Sequence, residues 1–259
     1  MIPSQYFKSY REKLGFPSQS TAKEFLSGKD ISPGIDFEYI DLLNRRTTTI
    51  IEKINGAIHK DARRNDMASF SNRYVISPYK TIRSAGLLPR LNNQGRRPED
   101  VLFSWLRGYA ISEFFTPVIS KIFSVTIETV AQIGEDDLKN IETFKRSPRA
   151  DLELTINGKK IRVEVQSGFQ GINDIKEHKV REARRVFDEN KIQTACIHFD
   201  LFNGQVAFVQ LDKIGDNDVN WVTRQQMEGQ SVFEIDQNNF KWRLLDSIPA
   251  LSETDLVAE

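Results

Sequence analysis

One cysteine, Cys196, stands in a chain of 259 residues, so no intrachain disulfide framework is available and a reducing compartment is expected. The three histidines, His59, His178 and His198, are scattered and with a single cysteine make no zinc pattern. There is no phosphate-cradling glycine loop and no dinucleotide fingerprint, so no nucleotide cofactor is expected, and no Gly-x-Ser-x-Gly nucleophile elbow. No apolar run approaches a membrane span, and the N-terminus, Met1-Ile2-Pro3-Ser4, does not read as a signal peptide; a cytoplasmic protein without a membrane partner is the expectation. Repeats and low-complexity stretches are also missing. Net charge is absent too: 36 Lys and Arg balance 36 Asp and Glu, so nothing global announces nucleic acid.

The distribution of charge says more. Residues 1–100 carry 17 basic against 11 acidic side chains, and residues 201–259 carry 4 against 10. A basic N-terminal portion is compatible with a phosphate-backbone footprint, though such an excess is also common in proteins that bind no nucleic acid.

The most informative stretch runs from Ser147 to Gln166. It reads as two short strands joined at Asn157-Gly158, a dipeptide that suits a turn with both central residues at positive φ. Counting outward from the turn, Leu154 meets Ile161 and Leu152 meets Val163 on one face. On the other face Thr155 meets Lys160, Glu153 meets Arg162 and Asp151 meets Glu164, with Gln166 one step beyond. Two carboxylates directly opposite each other are destabilising unless a proton, a cationic side chain or a divalent cation intervenes. Oxygen ligands of this kind suit Mg²⁺. The competing reading is a solvated hairpin face whose Arg149, Lys160 and Arg162 neutralise the acids.

Asp151, twelve intervening residues and then Glu164-Val165-Gln166 resemble the active-site signature of the PD-(D/E)xK nucleases, which include many type II restriction endonucleases. The resemblance spans roughly residues 98–211. It implies an α/β fold: a restriction-endonuclease-like core with a central mixed β-sheet flanked by helices, plus a mainly helical N-terminal elaboration. It also implies Asp151 and Glu164 as Mg²⁺ ligands, with Gln166 where the family usually carries Lys. Ala150 stands where the name-giving Pro would be, the nearest proline being Pro148. In this family a helix before the catalytic strands often adds a Glu. Glu113 matches that position, because Leu102, Leu106, Tyr109 and Glu113 follow at helical spacing in the helix that Pro98 opens. The competing reading pairs Glu113 with a nearby Lys or Arg.

The implied division is 1–97 for candidate DNA recognition, 98–212 for the nuclease core and 213–259 for a small C-terminal subdomain and tail. Short helices are expected between Ser4 and Leu26, with a cap at Ser18-Gln-Ser-Thr21, and a long one over Phe37–His59. Residues 60–98 read as polar and irregular. Arg suits guanine and Asn or Gln suits adenine, so Arg96, Arg97, Asn92, Asn93 and Gln94 form one candidate DNA-binding cluster. Arg63, Arg64, Asn65, Asn72 and Arg73 form a second; for any one of these residues, a plain surface loop is the competing reading.

Val125–Ile133 reads as a strand, residues 134–145 as an acidic insertion, Ser167–Gly171 as a flexible loop and Asn173–Asn190 as a charged helix. On that helix Lys176 and Lys179 are placed to reach a phosphate. Strands are expected at Ile192–Phe199 and Gln205–Leu211. Trp221, Val232, Phe233, Ile235, Phe240 and Trp242 supply apolar surface for a subdomain or a dimer contact, and the tail after Ser247 is expected to be mobile.

The function these readings imply is Mg²⁺-dependent, sequence-specific hydrolysis of double-stranded DNA by a homodimer. Two rivals stand beside it: a structure-directed repair or recombination nuclease, and a DNA-binding protein that has lost catalysis.

Overall fold

The computed structural model describes residues 2–28, 30–91, 96–134, 150–224 and 229–256. The Asn92, Asn93 and Gln94 cluster, Arg149, Pro148 and most of the acidic insertion lie outside the described residues.

The N-terminal third is helical. Helices α1 (Ser4–Leu14) and α2 (Gln19–Ser27) are followed by the long α3 (Phe37–Ala57). Ser18 and Asp36 accept the backbone N–H of Thr21 and Tyr39, satisfying donors that the first turns of α2 and α3 leave open. Residues 60–98 differ from the irregular segment expected. They form α4 (Met67–Ser71), a π-type turn over Asn72–Ile76, α5 (Ser77–Ser84) and two short 3-10 turns. The buried residues Phe70, Val75, Tyr79 and Ile82 explain both the packing and the difference. Phe70 and Val75 are five apart, so the π turn that keeps both inward breaks the 3.6-residue period. Next, α6 (Pro98–Ile122) has Pro98 in its first turn and runs on through Pro117.

Strand β1 is only Ala131–Gln132, because Ile127–Thr129 forms a 3-10 turn. Then come β2 (Leu152–Ile156), β3 (Lys159–Gly168) and β4 (Asp174–Lys176), followed by α7 (Glu177–Asn190). Residues Asp174–Lys176 are thus a strand rather than the start of a helix. Their partner β8 (Gln230–Glu234) lies far along the chain, beyond β5 (Gln193–Asp200), β6 (Gln205–Gln210) and β7 (Val222–Arg224). The last strand is β9 (Phe240–Arg243).

The main sheet has six strands in the order β1-β2-β3-β5-β6-β9, mixed because β3 and β5 run parallel while the other neighbours are antiparallel. A second, antiparallel sheet has the order β4-β8-β7. One face of the main sheet carries Leu152, Leu154, Val163, Ala195, Ile197 and Phe199 into a core shared with α3 and α6. There Phe115 stacks on Phe199 with ring centroids 4.0 Å apart. The opposite face carries Cys196, Ala207 and Val209 against Val180 and Ala183 of α7 and Phe233 of β8.

Residues after 212 are woven into both sheets through β8 and β9. Val232, Phe233, Ile235 and Trp242 are buried inside this chain, so they offer no outer surface for a dimer contact. The tail packs too: Thr254 and Leu256 are buried.

The hairpin register is the one counted from sequence, Leu152↔Val163 through Ile156↔Lys159. Asn157 and Gly158 both take positive φ, 49° and 79°. A Cβ at Gly158 would meet nothing within 4 Å, so Gly158→Ala carries only backbone strain. It is expected to lower stability by about 1–2 kcal/mol, read as a reduced urea midpoint at unchanged slope.

Candidate functional site

The hairpin ends one step before Asp151. There the side chain takes over from the ladder, and Asp151 Oδ2 accepts the backbone N–H of Val165 at 2.7 Å. Its carbonyl accepts the N–H groups of Ile133 and Gly134, at 3.0 and 3.1 Å. Asp151 is thereby fixed at the mouth of β2 beside the middle of β3.

Glu164 points from β3 to the face covered by α7 and is only 5% exposed. A carboxylate at that depth needs a partner. Lys179, in the first turn of α7, supplies one: its Nζ donates to Glu164 Oε2 at 2.8 Å. Burial works against charge on Lys179, but the Glu164 carboxylate outweighs it and Asp151 adds to the attraction, leaving the ammonium above the ordinary lysine range. The Cys196 thiol, fully buried next door, is pushed well up by burial and then by the charges of Glu164 and Asp151. Asp151, Glu164 and Lys179 therefore form one electrostatic cluster, and Cys196 is an inert core thiol.

The solvated-face reading of the hairpin fits a different acid. Lys160 and Arg162 lie 2.7 and 3.6 Å from the Glu153 carboxylate, and it is Glu153 that they neutralise.

Gln166, two residues beyond Glu164 on the same face, is half-buried and lies against His198 of β5. The parallel register places Gln166 beside His198 and Gly168 beside Asp200, which also extends β3 into the segment expected to be a loop. His198 Nε2 lies 2.9 Å from Asn173 Oδ1. Burial pushes the His198 imidazole down to about 4, against the pull of Asp200 and Asp174. Nothing in the sequence singles out His198, Asn173 and Asp200, because only the pairing of β3 with β5 brings them to Gln166.

Glu113 is buried on α6. Burial pushes its carboxyl up to about 7, with a hydrogen bond from Tyr74 and the charge of Arg64 working in the opposite direction. The groups acting on it thus come from the N-terminal helical region rather than from the hairpin.

Much of the expected DNA-facing set is occupied within the fold. Arg64 is held bidentately by Asp66, at 3.0 Å on both contacts, with its guanidinium 4.8 Å from the Phe70 ring centroid. Arg63 donates to the Ile58 carbonyl at 2.9 Å, Arg96 to Ser104 Oγ at 2.9 Å and Arg97 to Glu99 at 3.1 Å. Asn65, Asn72 and Arg73 are exposed, and Lys176 is half-buried at the end of β4.

Among the described residues no group of three or more His, Cys, Asp or Glu side chains is placed to hold a metal ion. The donors present are two carboxylates, whose hard oxygens fit a Mg²⁺ ion that takes its other ligands from water and phosphate. No described helix is long and apolar enough to cross a membrane. In comparisons with known proteins the chain matches no family model, no curated protein and no solved structure.

Proposed function

We propose that this protein is a Mg²⁺-dependent endonuclease with a restriction-endonuclease-like core, cutting double-stranded DNA at specific sequences. The observation that carries the reading is the Asp151 carboxylate held on the Val165 N–H, next to Glu164 in β3, with the Lys179 ammonium on Glu164 and feeling the Asp151 charge as well. The sheet supports it in outline: an antiparallel hairpin followed, after a helical crossover, by a parallel strand, with α6 on one face and α7 on the other.

Asp151 and Glu164 would hold the Mg²⁺, which when bound polarises the scissile phosphate and lowers the pKa of a water. The chain's own groups do the rest. The Val165 N–H fixes the Asp151 carboxylate in place. Lys179 supplies the cation that the resembled signature carries two residues after its second acid, where this chain has Gln166. The Lys179 ammonium, held on Glu164, can stabilise charge that grows on a nonbridging phosphate oxygen in the transition state. Gln166 can orient the attacking water by hydrogen bonding. Asn65, Asn72 and Arg73, exposed on the N-terminal helical region, are the side chains we assign to DNA contact. A homodimer would match the two-fold symmetry of a palindromic site.

One observation favours a second reading. Gln166 is engaged with a buried histidine, as in a site kept for structure, which points to a DNA-binding protein without catalysis.

Digestion of phage or plasmid DNA by the purified chain with Mg²⁺, beside EDTA and Asp151→Asn controls, separates the readings. Discrete fragments lost in both controls are expected. Binding to particular sequences without cutting favours the second reading, and a smear that survives Asp151→Asn removes the assigned site. Cutting directed by branches or ends rather than by sequence would make the protein a repair or recombination nuclease.

A further inference from the structure

Asp200, Asn173 and His198 make a chain of hydrogen-bonding groups that ends on Gln166, and each link fixes the direction of the next. Asp200 is buried at 1% exposure. Burial alone would raise its carboxyl, but hydrogen bonds from Asn203, Gln205 and Asn173 hold it below the usual range, so it is ionised and can only accept. The Asn203 amide lies 2.7 Å, the Gln205 amide 3.1 Å and Asn173 Nδ2 3.5 Å from Asp200 Oδ2. Asn173 therefore turns its NH₂ to Asp200 and its carbonyl oxygen to His198 Nε2, 2.9 Å away. A carbonyl accepts only, so Nε2 must carry the proton.

The consequence reaches Gln166. Burial keeps His198 neutral at physiological pH, and a neutral imidazole with its proton on Nε2 has a bare Nδ1. Gln166 Oε1 lies 3.4 Å from that nitrogen. Two bare acceptors facing each other repel. A half-turn of the Gln166 amide exchanges two atoms of nearly equal size and brings an N–H donor to Nδ1. Oε1 then faces away from His198.

We infer that Asp200, Asn173 and His198 are positioning residues that turn the Gln166 carbonyl oxygen, an acceptor, away from His198 on the sheet face that also carries Glu164. This rests on the nuclease reading for its use. There Gln166 does not imitate the lysine whose place it takes, because a lysine only donates. It accepts a hydrogen bond from the attacking water while Lys179 carries the positive charge, so the two tasks fall to two residues.

The test is the tautomer of His198 in the ¹⁵N-labelled full chain, read by long-range ¹H–¹⁵N correlation at neutral pH, with the signal assigned by its loss in His198→Gln. A proton on Nε2 and a bare Nδ1 are expected. A proton on Nδ1 would overturn the inference, because Gln166 would then keep its carbonyl on the histidine. In Asn173→Leu the Nε2–H preference is expected to relax, and persistence of that tautomer would show that Asn173 does not set it. Under the nuclease reading the same variant is expected to lose roughly tenfold in single-turnover cleavage with DNA binding unchanged. A wild-type protein that has the expected tautomer but cuts no DNA would sink the nuclease reading and leave the orientation of Gln166 standing. A cutting protein with its proton on Nδ1 would do the reverse.

Discussion

Lys179→Met is expected to cost about 3–5 kcal/mol of stability at pH 8 and, under the proposed endonuclease function, on the order of 100-fold in cleavage rate. The stability loss follows from depth. Glu164 is almost fully buried, the Lys179 side chain is 18% exposed, and their contact is 2.8 Å. Methionine fills similar volume but removes the ammonium that faces a buried carboxylate. Because Glu164 and Asp151 raise Lys179 above the ordinary lysine value of 10.5, its stabilising contribution is whole below that value and is lost only as pH climbs past the raised one. Assays at pH 7–9 therefore see it undiminished.

Lys179→Met/Glu164→Gln separates structure from chemistry. Removing both charges is expected to return most of the stability, since a buried pair is often neutral against a well-packed uncharged replacement. Cleavage should stay lost. If Lys179→Met alone keeps its urea midpoint, the pair is not the buried anchor described. If it keeps full cleavage, the cation of the site lies elsewhere.

What the sequence reveals of this region depends on how far apart the partners are. Strands β2 and β3 are joined by a two-residue turn whose type Asn157-Gly158 dictates, so the register can be counted, and from Leu152↔Val163 to Ile156↔Lys159 the count agrees with the structure. Lys179 on Glu164 cannot be counted, because it depends on where α7 crosses the sheet. The His198 contact with Gln166 likewise waits on the parallel pairing of β3 with β5. Strand β4 reads as helix from sequence for a related reason: Ile175 is its one apolar residue, and its partner Phe233 lies 58 positions on.

The arginine clusters hold a local signal of their own. Arg64 and Arg97 each have an acid two residues later, Asp66 and Glu99, and each pairs with it. Such nearby acids mark Arg64 and Arg97 as structural before any fold is known, whereas Arg63 and Arg96, held by the Ile58 carbonyl and Ser104, carry no such signal. Along residues 67–84, in contrast, the helical period is broken by a π turn, and no count at spacing three or four finds it.

Glu113→Gln is expected to stabilise the protein at pH 8 by about 3 kcal/mol and to do almost nothing near pH 4.5. The carboxyl moves from its ordinary 4.5 to about 7 on folding, because burial disfavours its charge more than Tyr74 and Arg64 favour it. A tenfold change in proton affinity is worth about 1.4 kcal/mol. Below pH 4.5 the group is protonated folded or unfolded and folding costs nothing extra. Between 4.5 and 7 the unfolded chain gives up the proton that the folded chain keeps, so stability falls as pH rises, and above 7 the full penalty is in force. Glutamine carries no charge at any pH and still accepts from Tyr74, so the variant escapes the penalty. Urea unfolding of both proteins at pH 5 and pH 8 in EDTA measures the difference. A gap that does not widen with pH would mean that Arg64 keeps Glu113 ionised in the folded state. Repeating the pH 8 arm with Mg²⁺ addresses the metal-ligand role that the sequence suggests for this residue. Glu113 acts as a metal ligand if added Mg²⁺ stabilises the parent and not Glu113→Gln. With its partners on the N-terminal helical region, the expectation is that Mg²⁺ stabilises both proteins alike, through Asp151 and Glu164.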